Sequence, residues 1–122
     1  MSIHDKKTEN PYRCLAGIDL GTTFTCLATW NGVAPGVCQS RTGKSVTPSV
    51  VFYDGKQKQE LVGDVAVTFS RMDPNNSVYC IKREMGNRSH RVRIGGREYT
   101  PVDISALILK RVTDDLREKY PP

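Results

Sequence analysis

The sequence predicts an α/β domain in which antiparallel β-hairpins form a sheet and helices pack on it. Three observations carry this. Apolar and β-branched residues extend on both sides of a short polar turn at Gly21-Thr22-Thr23, from Leu15 to Leu20 and from Thr25 to Trp30. Two dipeptides, Asn31-Gly32 and Gly95-Gly96, have the composition of tight hairpin loops between extended runs. After Thr100 the pattern changes to apolar residues at helical spacing, behind a helix-start signature.

The chain has 122 residues, enough to bury a core but few for a complete two-lobed enzyme. Eighteen Lys and Arg against 13 Asp and Glu give a formal charge of +5. The basic residues run from Lys6 to Lys119 without clustering beside aromatics, so nucleic acid is not expected as a partner, whereas a phosphate-rich nucleotide suits the balance. Cys14, Cys26, Cys38 and Cys80 form no CxxC pair, and His4 and His90 are isolated from them. These read as reduced thiols, not zinc ligands, and point to a cytoplasmic protein. No apolar run has the length of a membrane span and no signal core precedes the polar start, so no membrane partner is expected.

In chain order, residues 1–12 are polar and charged, with Pro11 near their end, and read as a flexible leader. The folded part is expected over residues 13–122. Asp19 stands at the mouth of the first turn. Gly21 has no side chain, can take positive φ and lets the backbone approach a ligand, while the N–H groups of Thr22, Thr23 and Phe24 can converge on an anion. A carboxylate beside bound phosphate needs a cation between them, so Asp19 implies a divalent metal reached through water. On spacing alone an ordinary hairpin turn accounts for the stretch equally well.

Asn31-Gly32 predicts a two-residue loop leading to a strand over residues 36–39, completing a three-stranded meander. A basic polar loop over Ser40–Val46 precedes Thr47-Pro48, which opens the β-rich run Ser49–Tyr53 closed by Asp54-Gly55. Val62, Val65, Ala66 and Phe69 recur at helical spacing. A second helix is expected after Pro74-Asn75-Asn76, carrying Val78, Ile81 and Met85 on one face and ending at Gly86. Lys82 and Arg83 taken alone are a solvated basic pair near a helix end. Arg91–Thr100 reads as a hairpin with its basic side outward. Thr100-Pro101-Val102-Asp103 starts a last helix with apolar stripe Ile104, Leu107, Ile108, Val112 and Leu116, and with Asp115 placed to pair with Lys119.

Gly17-Ile18-Asp19-Leu20-Gly21-Thr22-Thr23 resembles the first phosphate-binding loop of the seventy-kilodalton heat-shock chaperones (heat-shock protein 70, DnaK-like) and, more broadly, of the actin-like ATPase (ribonuclease H-like) fold. The segments Gly43–Phe52, Val62–Ala66, Asp73–Ser77, Ile81–Arg83 with Met85-Gly86, and Tyr99–Ala106 follow in the family's order, so the similarity spans about residues 14 to 120. Phe24 stands where the family often has Tyr or Asn, and the stretch from Gly86 to Val92 is short, which trims a peripheral lobe.

The resemblance implies a partial actin-like fold: the amino-terminal piece of an ATPase domain, without the second phosphate loop, the adenosine pocket, the other lobe or the peptide-binding domain. It implies ATP or ADP with Mg as cofactors, with Gly21, Thr22, Thr23 and Phe24 on the phosphates, Asp19 organising Mg through water, and Lys82 reaching the γ-phosphate and its attacking water, with Arg83 in a supporting role. It places Thr47-Pro48-Ser49 close to the nucleotide. In the full-length parent it implies unfolded client proteins and co-chaperones as partners. Alone, the chain is expected to hydrolyse ATP slowly or not at all. Two alternatives share the pattern: a fragment of an actin-fold small-molecule kinase, or a non-catalytic, truncated chaperone-like binding module.

Overall fold

A computed structural model describes residues 15–121. The leader expected over residues 1–12, and Cys14, lie outside the described residues. The chain folds as mixed α/β with antiparallel sheets, as expected. Strands β1 (Leu15–Leu20), β2 (Phe24–Trp30) and β3 (Pro35–Val37) form the meander in the order β1-β2-β3. The turn at Asn31 is longer than the dipeptide suggested. Asn31 Oδ1 accepts hydrogen bonds from the N–H of both Val33 and Ala34, at 2.9 and 3.0 Å, and so closes an Asx-type loop, after which β3 runs over Pro35–Val37 instead of the expected 36–39. Strand β4 (Thr47–Pro48) joins the same edge of β2 as β3, farther toward the start of β2, where Phe24 pairs with Pro48 and Thr25 with Thr47. Pro48 is tolerated there because the strand is two residues long and at an edge.

A second sheet follows from β5 (Val51–Asp54), β6 (Gln59–Val62) and β7 (Ser77–Val78), in the order β6-β5-β7. Between β6 and β7 lies α1 (Asp64–Ser70), which buries Ala66 and stacks Phe69 on Phe52 with ring centroids 5.6 Å apart. Of the expected helical set, Val62 belongs to β6, and Val65 and Phe69 stay largely exposed.

The helix expected beyond Pro74 does not form. A 3-10 turn at Pro74–Asn76 gives way to β7, in which Val78 pairs with Val51, and Cys80 takes a left-handed φ of 52°. The β-branched Val78 gains more by completing the sheet than by starting a helix that Cys80 interrupts. A second 3-10 turn, Ile81–Glu84, then presents Ile81 to the core.

The remaining chain matches its reading closely. Strands β8 (Val92–Ile94) and β9 (Arg97–Tyr99) pair through a two-glycine loop with both glycines at positive φ, burying Ile94 and Tyr99 and leaving Arg93 and Arg97 outside. Helix α2 (Pro101–Lys119) begins with a capping box: Thr100 Oγ1 accepts from Asp103 N–H at 3.1 Å, and Asp103 Oδ2 accepts from Thr100 N–H at 2.8 Å. That backbone bond, with the Thr100 hydroxyl, holds the Asp103 carboxyl below the ordinary carboxylate range. The expected Asp115–Lys119 pair is replaced. Asp115 turns inward to Arg41, and Lys110 takes Asp114 at 2.8 Å as the i,i+4 partner.

The core follows from these periodicities. On one face of the second sheet Val51, Val62 and Val78 meet Ile81, Ile94, Tyr99, Ile104 and Ile108. On the other, Val50 and Phe52 meet Ala66 of α1. Farther along α2, Val112 and Leu116 cover Leu27 and Cys38 of the first sheet. Tyr99 donates its hydroxyl to Glu60 at 2.9 Å. Burial first, and the bond to Glu60 second, push its phenol up to about 12.

Two outcomes follow for stability. Thr100→Ala is expected to cost about 1 kcal/mol in urea unfolding by removing a helix cap. The folded-state pKa of Tyr99 exceeds its unfolded value of 10.0, so its contribution is complete below pH 10 and lost as pH rises through about 12. Tyr99→Phe should therefore flatten the alkaline fall in stability over that window by on the order of 2 kcal/mol, measured as the midpoint of urea unfolding against pH.

Candidate functional site

The first turn connects β1 to β2 through Gly21, Thr22 and Thr23, and it is held from behind by Ser49. Ser49 is buried just beyond β4. Its N–H donates to Thr23 C=O at 2.9 Å and its hydroxyl donates to Gly21 C=O, also at 2.9 Å. The Ser49 oxygen lies 2.9 Å from the hydroxyl of buried Thr25. A serine hydroxyl carries a single hydrogen, already given to Gly21, so Thr25 is the donor in that pair. Two carbonyls of the turn are thus occupied by one residue. Among the described residues, the N–H groups of Thr22 and Thr23 donate to no protein acceptor in the turns and loops.

Gly21 is needed for a reason other than the expected one. Its φ is not in the left-handed region; instead, a Cβ at this position would collide with the carbonyl oxygen of Phe24. The turn is too tight for any side chain. Asp19, at the end of β1, is exposed and lies opposite Cys26, on the same sheet face as Phe24. Phe24 pairs with Pro48 and leaves its ring half exposed.

Lys82 lies in the 3-10 turn, its side chain exposed and, among the described residues, in no ion pair or hydrogen bond. Nothing joins it directly to the Gly21 turn. The link is one residue removed: Ile81 is buried in the main core cluster, against which Leu20, the residue before Gly21, also packs. Arg83 is exposed beside it. Sequence reasoning did not single out Ser49 or Thr25 as individual residues. By its residues Thr47-Pro48-Ser49 reads only as a strand entrance; the resemblance puts the segment close to the nucleotide without saying what Ser49 does there, and the bond that carries Ser49 to the turn is a contact between positions 28 apart.

The turn and its neighbours fit a phosphate group bound with a metal. Uncommitted amide hydrogens and two threonine side chains are features that suit an anion. Among the described residues no three His, Cys, Asp or Glu side chains gather as a metal site. Among the described residues no helix is long and apolar enough to cross a membrane.

The family model described as Hsp70 protein matches residues 15–94, more than half of the chain, from the start of β1 through β8. The chain belongs to the heat-shock protein 70 family, as a segment of its amino-terminal ATPase region. The family implies the actin-like ATPase fold, and its members are ATP-binding chaperones that generally bind ATP or ADP with Mg, client proteins and co-chaperones.

The Ser49 contact has a direct test. Ser49→Ala removes the support of the Gly21 carbonyl and leaves the buried Thr25 hydroxyl without its acceptor. It is expected to cost on the order of 1–3 kcal/mol in urea unfolding. Thr25→Val in the same background should recover part of that loss.

Proposed function

We propose that this chain supplies one wall of the ATP-binding cleft of a protein-folding chaperone, with the Gly21–Phe24 turn as its phosphate cradle. The observation that carries the reading is the split of polar groups at the turn. Ser49 takes up the carbonyls of Gly21 and Thr23, while the N–H groups of Thr22 and Thr23 keep no protein partner in the turns and loops. Carbonyl lone pairs would repel an anion, whereas uncommitted amides attract one, so a turn arranged in this way selects for phosphate. Holding the turn from behind means that little ordering is needed when the ligand arrives.

In this reading Gly21, Thr22, Thr23 and Phe24 bind the phosphates through backbone N–H groups, aided by the two threonine hydroxyls. Asp19 would hold a Mg ion, as an acceptor for the ion's bound water. The bound Mg supplies charge neutralisation across the phosphates. Lys82 brings a mobile positive charge to the terminal phosphate and orients the attacking water. Asp19 and Lys82 are both exposed, and phosphoryl transfer needs several charges converging in a water-poor site, so turnover is expected to require a further protein surface closing over them. In the intact parent, the energy of hydrolysis would serve binding and release of unfolded clients with co-chaperones, in the cytoplasm. The family match favours this over the kinase alternative.

Calorimetric titration of MgADP and MgATP into the 122-residue chain tests the proposal. Saturable binding is expected, weakened about tenfold or more by Asp19→Asn, a loss of about 1.4 kcal/mol. Lys82→Ala should leave MgADP affinity within about twofold and weaken MgATP, because only the triphosphate presents a γ-phosphate. Equal binding by wild type and Asp19→Asn, or none by either in a folded chain, would refute the assignment of the turn.

A further inference from the structure

The loop between β3 and β4 is tied down at two points. Arg41 Nε donates to Asp115 Oδ1 at 2.6 Å, and another nitrogen of the same guanidinium lies 3.1 Å from Glu118 Oε1. Both carboxylates belong to the last turns of α2. On the other side, Lys44 Nζ meets Asp64 Oδ1 at 2.9 Å and the Thr42 hydroxyl donates to Asp64 Oδ2 at 3.0 Å, at the first residue of α1. The loop is closed on itself between these anchors, with Ser40 N–H donating to Lys44 C=O and Gly43 N–H to Ser40 C=O, both at 2.8 Å. Three residues beyond Lys44 the chain enters β4, and then Ser49 with its two bonds to the Gly21 turn.

The two anchors are not equivalent. The Arg41 and Asp115 side chains are 40% and 4% exposed, those of Lys44 and Asp64 62% and 26%. An exposed lysine pair contributes little, but removing the partner of a buried carboxylate leaves an uncompensated charge. The planar fork of Arg41 also reaches two carboxylates at once, which a lysine does not reproduce. The tie that matters is the one between Arg41 and α2.

We propose that Arg41 is a positioning residue for the Gly21–Thr23 turn, acting from α2 through the Ser40–Ser45 loop, β4 and Ser49. Its consequence for ligand affinity rests on the nucleotide reading of that turn. The bonds of Arg41 go to Asp115 and Glu118 of α2, not to the turn itself. Its effect is to keep β4 seated on β2, so that Ser49 stays in register with Thr23 and Gly21. Without it, the turn loses the rear support that keeps its carbonyls occupied.

Amide hydrogen exchange, followed by NMR on the 122-residue chain, reads this directly, because the Ser49 N–H is bonded to Thr23 C=O while the Ile104 N–H is bonded to Thr100 C=O in α2. Arg41→Ala is expected to accelerate Ser49 exchange about tenfold or more relative to Ile104, a local opening and not a global one. Arg41→Lys should restore part of the protection. Ile94→Val, which loosens the main core cluster away from the loop, should accelerate both amides alike. MgADP affinity should fall about tenfold in Arg41→Ala, in step with Ser49 exposure and not with overall stability.

An unchanged Ser49 rate, or equal acceleration of Ser49 and Ile104 in Arg41→Ala, overturns the positioning role. So does a selective Ser49 change with unaltered MgADP affinity. A selective Ser49 change in a chain whose wild type binds no MgADP supports Arg41 as the support of the turn, and refutes the nucleotide reading instead.

Discussion

One apolar stripe on one helix joins two sheets that share no strand. Ile104 and Ile108 of α2 pack against the sheet built from β5, β6 and β7, while Val112 and Leu116, one and two turns farther on, cover Leu27 and Cys38 of the first sheet. A fully buried Ile or Val contributes about 2 kcal/mol, so Ile104 and Ile108 bind the helix more strongly to the second sheet than Val112 and the partly buried Leu116 bind it to the first. Helix α1 packs its Ala66 on Val50 and Phe52 of the second sheet and joins none of the clusters that α2 builds. The capping box at Thr100 fixes where the helix begins, and therefore which of its residues face which sheet. The position of the first turn relative to the 3-10 turn bearing Lys82 depends on that register, because Leu20 and Ile81 end in the same cluster.

Within this frame, the turn is specified by its neighbours more than by itself. Gly21 is required because Phe24 C=O occupies the space of a side chain. Thr23 and Gly21 are oriented because one serine, brought in by β4, takes both of their carbonyls. A buried polar chain of this kind, Thr25 to Ser49 to Gly21, is satisfied at every member, and no buried side-chain polar atom among the described residues lacks a partner. Such networks hold a single geometry because any slip leaves a donor or acceptor unpaired in the interior.

How much of this was legible depended on sequence distance. The β1–β2 hairpin, the Gly95-Gly96 hairpin and α2 are local patterns, where turn residues, alternation and a cap agree, and they form as read. The segment from Pro74 to Gly86 departs from its sequence pattern because Val78, Ile81 and Met85 fit a helical face by spacing, while the competing β-pairing of Val78 with Val51 spans 27 positions and has no local signature. Asp115 was assigned to Lys119 on the i,i+4 rule; its actual partner, Arg41, lies 74 positions away, and only the fold brings the two together. The site shows the same division. Asp19, Gly21, Thr22 and Thr23 stand out as a contiguous motif, whereas the bonds of Ser49 to the turn exist only once β4 is paired, and the candidacy of Lys82 comes from the family resemblance and not from any contact it makes.

The pairing register of the first sheet puts Leu15, Asp19, Phe24, Cys26 and Trp30 on one face and sends Thr25 and Leu27 to the buried other. Trp30 is the chain's only tryptophan, and it is 43% exposed on the face that also carries Asp19. Indole emission shifts with the polarity around the ring, and nothing else in the molecule emits at the same wavelength with comparable intensity. The protein therefore carries its own optical label on that face, and covering of the sheet by another protein surface can be followed by the colour of its fluorescence without attaching any dye.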